Sequence, residues 1–205
     1  MIKLFRERPI QDAFSIIENN IPRRVNNITD SGITGPNLAE HIKTVTEGLQ
    51  IRPISIDFED RKVDLKMVNL KGNRFPAGFD VTPNGTYPCA LVEYEFKANG
   101  NQELLSLHPR TANFNRTVLA NINGNVLTIG IQTLYGNSEL NDKTKKEVKS
   151  EISGIMDDMK NVIDAINNEV SEFNKNINQK VTEQFNIKKA EIEKKEAQKS
   201  DLNDL

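Results

Sequence analysis

From residue 142 to residue 205 the chain holds no proline and a single glycine, Gly154, while apolar residues recur every three or four positions. The row runs Val148, Ile152, Ile155, Met159, Val162, Ile166, Val170, Phe173, Ile177, Val181 and Phe185. Its first steps follow a heptad seam, and the later run of fours drifts toward an eleven-residue repeat. Glu and Lys fill the flanks. An unbroken helix over 143–199 would be roughly 85 Å long. A preceding domain of ~140 residues, with a radius of gyration near ~14 Å, is too small to hide such a stripe. The expected cover is a second copy, a fold-back hairpin or a partner helix. Val148, Ile152, Ile155, Met159, Val162, Ile166, Val170 and Phe173 form the expected interaction seam. Asn174, Asn176 and Asn178 are poor helix formers and mark an expected kink or reversal. Asp142 is placed to cap the helix start, and 200–205 reads as a frayed end.

The first part of the chain has other periods. Ile10, Ala13, Phe14 and Ile17 share one helical face after Pro9, and the Asn19-Asn20 pair with Pro22 ends that helix. A polar loop is expected through 26–32. A second helix from Pro36 carries Leu38, Ile42 and Val45, with Gly48 as its C-terminal cap. From Ile51 the period becomes two. Ile54, Ile56 and Phe58 alternate, then Val63, Leu65 and Met67, then Ala90, Val92, Tyr94 and Phe96, which argues for strands with one buried face. Gly72, Pro76, Gly78, Pro83, Gly85 and Pro88 mark a long loop or a set of turns. Glu103–Leu107 reads as a short strand. Val118–Ile122 and Val126–Leu134 meet across Asn123-Gly124-Asn125, a tight hairpin signal, with Leu127, Ile129 and Ile131 toward the core.

The expected fold is therefore α+β. Two short helices pack on a mainly antiparallel sheet of about five to seven strands (1–137), and a helical, coiled-coil-like segment follows (138–205). Charge supports the division. Every Arg lies between Arg6 and Arg116, while the tail uses Lys alone. Arg suits fixed, partly buried contacts and Lys suits a solvated face. Net charge is -2, so nothing overall points to nucleic acid as a partner. No stretch approaches the ~20 apolar residues of a membrane span, and the N-terminus has no apolar core of signal-peptide length, so a cytoplasmic location is expected by default. Cys89, the only cysteine, sits in the apolar run Cys89-Ala90-Leu91-Val92 and reads as a buried structural thiol.

Few residues carry chemistry. Asp80 followed by Glu95-Phe96-Lys97 resembles the metal-binding core of PD-(D/E)xK nucleases, and that resemblance implies Mg²⁺ held by Asp80 and Glu95 with Lys97 steadying the attacking water. The plainer reading makes Glu93, Glu95 and Lys97 the solvated face of a half-buried strand. The strand also turns at Asn99-Gly100-Asn101 into another strand, whereas the nuclease strand leads into a helix. Neither His41 nor His108 has a second ligand nearby, no phosphate-binding loop precedes a helix, and Arg23-Arg24 reads as solvated. No cofactor is expected.

The whole layout is similar to N-terminal scaffold or sensing regions of bacterial multidomain proteins, some of defence type, that precede an effector domain. The residues that carry the likeness are the Asn99-Gly100 turn followed by His108-Pro109-Arg110, the last hairpin, and a helix with Glu172-Phe173-Asn174 and a Lys/Glu-rich end. The resulting expectation is a non-enzymatic interaction and oligomerisation module. Its seam would meet a second copy or a partner helix. The Mg-dependent nuclease is the alternative.

Overall fold

A computed structural model describes residues 1–137 and 139–203 of the chain. Ser138, at the expected domain boundary, and Asp204 and Leu205, in the expected frayed end, lie outside the described residues. The fold is α+β, with short N-terminal helices, an antiparallel five-stranded sheet and one long helix, α5 (Asp142–Asn203). Beside the expected division at 137/138, the chain groups into two compact units that each draw on both parts of the sequence. One compact unit comprises 1–8 and 54–165, and the other comprises 9–53 and 166–205.

In the first unit the strands β1 (Ile2–Lys3), β3 (Ser55–Lys71), β4 (Thr86–Asn99), β6 (Leu119–Asn123) and β7 (Val126–Gln132) lie in the order β1-β6-β7-β4-β3. The ladders are antiparallel throughout. A separate two-stranded ladder joins β2 (Arg8–Pro9) to β5 (Leu107–His108). Period-two alternation sorts the side chains onto two faces. Val92, Tyr94 and Phe96 stand opposite Ile131, Ile129 and Leu127 and are buried. Glu93, Glu95 and Lys97 stand opposite Gly130, Thr128 and Val126 on the polar face. One face is therefore core and the other faces water, as antiparallel sheets permit. The first part of α5 supplies the cover: Val148, Ile152, Ile155, Met159 and Val162 are buried. Lys160 Nζ lies 5.6 Å from the Phe58 ring centre, and Arg116 Nε donates to Asp158.

Two sequence expectations are sharpened here. Ile56–Phe58 and Val63–Met67 belong to one strand, β3, interrupted by a bulge between Asp57 and Lys62. Asp57 Oδ1 accepts the Glu59 and Asp60 amides there (3.1 and 3.0 Å), which turns the chain without ending the strand. Of Glu103–Leu107, expected as a short strand, only Leu107 belongs to one (β5); Gln102–Ser106 forms a 3₁₀ turn started by Asn101, whose Oδ1 accepts the Glu103 amide. The last hairpin forms as expected. Its turn is Gly124-Asn125, and Gly124 takes φ +56°, the value a tight turn needs at its first central residue. In the 72–85 loop, Gly72 passes so close to the Thr82 carbonyl that a Cβ would lie 1.9 Å from its oxygen. Cys89 is wholly buried, as expected, and burial pushes its thiol up.

The second unit holds α1 (Ile10–Asn19), α2 (Ile21–Asn26), α3 (Asp30–Thr34), α4 (Leu38–Glu47) and α5 from Ile166. The expected loop after Pro22 contains two further helices. Pro22 falls in the first turn of α2, where its missing amide hydrogen costs nothing, and Thr29 caps α3 by accepting the Gly32 amide. Phe14 stacks on Phe173 with centroids 4.4 Å apart. Gln11 donates to Glu169 (2.8 Å) and Lys180 pairs with Glu18 (2.6 Å). The Asn cluster makes no reversal, because α5 continues through it. Asn174 Oδ1 accepts the Ile51 amide (2.9 Å) while its Nδ2 donates to the Ile51 carbonyl (2.8 Å). One side chain satisfies both backbone polar groups of a buried residue, which outweighs its poor helix propensity. Asn141, not Asp142, caps α5: its Oδ1 accepts the Thr144 amide at 2.8 Å.

Candidate interaction surface

The expected seam is not a free surface. Val148, Ile152, Ile155, Met159, Val162, Ile166, Val170 and Phe173 are each at most 6 % exposed within the single chain. The physical error lies in treating 1–137 as one small head. Residues 148–162 meet the sheet, and residues from 166 onward meet the short helices of 9–53, so each stretch of the stripe has a cover of its own. Burial of each such side chain contributes about 1.5–3 kcal/mol, and that gain belongs to folding rather than to assembly.

The nuclease residues lie on two segments, Asp80 in the 72–85 loop and Glu95 with Lys97 on β4. Glu95 and Lys97 stand on the polar face of β4. Phe79, next to Asp80, lines a hollow with Ile131 and Val148, on the face covered by α5. Lys97 is engaged by Asp60, which holds the Asp60 carboxyl below its ordinary range and raises the lysine. Among the described residues no group of three or more His, Cys, Asp or Glu is arranged to hold a metal ion. His108 is exposed beside a hollow of about 190 Å³ lined by Phe5, Arg6 and residues 112–115, while Arg23 and Arg24 are exposed on α2. No described helix is long and apolar enough to cross a membrane.

What remains open is β3. It is the last strand of its sheet, and every residue from 59 to 67 is exposed. Val63, Leu65 and Met67 are 57, 42 and 41 % exposed, yet their cross-strand partners Tyr94, Val92 and Ala90 are at most 6 % exposed. Directly opposed residues share a face. The apolar row thus stands on the core side of the sheet, past the edge of what α5 covers.

Backbone direction adds a second property to the same residues. Pairs in an antiparallel ladder alternate between hydrogen-bonded and non-hydrogen-bonded. The Ala90 amide donates to the Tyr135 carbonyl and the Ala90 carbonyl accepts from Thr133, so Ala90 turns its backbone groups away from β3. Its partner Met67 therefore turns its own toward the open side, and so do Leu65 and Val63, two and four residues away. The Leu65 amide accordingly bonds outside the ladder, to the adjacent Asp64 Oδ1 (2.9 Å). At the other end of β3 the bulge disrupts the edge, a common protection against strand pairing. Between Lys62 and Lys71 the register is regular and nothing of that kind intervenes.

Sequence reading placed Val63, Leu65 and Met67 on a strand with a buried face but missed that the face outruns its cover. The available signal was the interleaving of that row with Lys62, Asp64 and Lys66, which leaves neither side of β3 fit for a fully buried strand. No protein-family model matches the chain, and neither a curated protein nor a solved structure does.

Proposed function

We propose that this chain is an interaction and assembly module that works by strand addition: an extended segment pairs with the open edge of β3. A single coincidence carries the reading. Val63, Leu65 and Met67 offer outward-directed backbone groups and exposed apolar side chains at once. In strand addition the main chain supplies affinity, and alternate side chains supply specificity. Unpaired strand edges are otherwise a hazard that proteins cover or blunt. This use of the edge takes the place of the helical seam, whose stripe is spent inside the chain.

The test is selection of displayed random peptides on the full chain, with Leu65→Lys as counter-selection. Extended apolar peptides should be retained by the native chain and lost with the variant. On binding they should slow amide exchange at Val63, Leu65 and Met67. Peptides that bind without protecting those amides would overturn the reading.

A further inference from the structure

We infer that the occupant of the β3 edge is β3 of a second copy of this chain, antiparallel and centred on Leu65. The inference rests on the strand-addition reading and adds the partner and the register to it. A two-fold axis through Leu65 pairs Val63 with Met67 of the second copy, and Leu65 with its own counterpart. All three have outward-directed backbone groups, so the three pairs supply about six N–H···O bonds, two per pair. The axis is perpendicular to the sheet. Both apolar rows therefore meet on the same face, in the strip that neither α5 covers.

Charge and apolar contact together select this register. On the polar face Asp64 stands opposite Lys66 of the second copy, twice by symmetry. Lys62 meets Val68, and the bulge before Lys62 ends the regular ladder, so no like charges oppose one another. Centring on Asp64 would set Asp64 against Asp64 and Lys62 against Lys66. Centring on Lys66 would set Lys66 against itself, and centring on Met67 opposes no like charges but sets Leu65 against Asn69 and Val63 against Lys71, so only Met67 keeps an apolar partner. Centring on Val63 keeps Asp64 against Lys62 but runs Leu65 and Met67 against the irregular stretch before Lys62 of the other copy, so only Val63 keeps an apolar partner. Like charges directly opposed destabilise a strand pair, and opposite charges and apolar pairs support it. Within one chain Lys66 already contacts Glu93 and Asp64. In the dimer Asp64 of the other copy joins that cluster, and the Leu65 amide leaves Asp64 for a carbonyl.

Sedimentation equilibrium of the full chain from ~1 µM to ~1 mM tests this. Wild type should dimerise reversibly. Asp64→Lys alone and Lys66→Asp alone should each weaken dimerisation by about tenfold or more, since each sets like charges across both symmetric pairs. Mixed in equal amounts, the two variants should recover wild-type strength as a heterodimer, because every 64–66 pair is then again opposite in sign. A dimer indifferent to these exchanges, or one not restored by mixing, overturns the register. If wild type stays monomeric while selected peptides still protect the Leu65 amide, the second copy is not the occupant but strand addition stands. If neither occurs, both fall.

Discussion

Asn174 shows how one residue can carry two opposite readings. Judged by helix propensity it weakens α5, so alanine there should help. Judged by its bonds to both polar groups of Ile51, which is 5 % exposed, alanine leaves a buried amide and a buried carbonyl unmet. The second effect is larger, so Asn174→Ala should cost about 1–3 kcal/mol in urea unfolding. Asn176 is exposed and has no such task, and Asn176→Ala should stabilise by about 0.5 kcal/mol. The three asparagines were conspicuous in the sequence. Which of them faces the Ile51 peptide was not, because that depends on where a segment over a hundred residues away returns. Cys89 was more legible, since its apolar neighbours foretold burial. Its thiol should resist alkylation until the chain unfolds.

Among the elements, α5 and β3 exchange the roles their patterns suggested. The stripe on α5 was easy to read as a helix face and easy to misassign, because periodicity reports that a face is buried but not by what. Met159→Ala should destabilise by about 2–5 kcal/mol, and by the same amount at any protein concentration, because the cavity opens inside one chain. A loss that shrank as concentration rose would mean that a second chain fills that site. In β3 the alternation was legible too, but the bulge after Asp57 and the bare core-side row depend on how far α5 extends over the sheet. The Asp60–Lys97 pair closes that bulge. The Asp60 carboxyl sits below its ordinary value of 3.8, so its contribution is complete above that value and is lost as pH falls through the depressed one. Lys97 sits above its ordinary 10.5, so its contribution is complete below that value and is lost as pH rises through the raised one. Amide shifts at 57–62 should therefore stay constant across neutral pH and move only toward those two extremes. Both groups are exposed, so global stability should hardly follow.

For the molecule as a whole, the fold class and the last hairpin were within reach of local rules, since turn chemistry and period two need no distant information. The division into units was not. It joins 9–53 to the far part of α5 and 1–8 to the sheet, and no window of sequence contains both members of either pairing. The same non-local packing consumes the apolar stripe and leaves the exposed β3 edge, on which the proposed assembly rests. Residue-resolved amide exchange at low and high protein concentration tests that statement most directly. Amides of α5 from Val148 to Phe185 should be protected equally at both, while those of Val63, Leu65 and Met67 should gain protection only at the higher one. Protection of α5 that appears only with concentration, beside a β3 edge that stays open throughout, would contradict it.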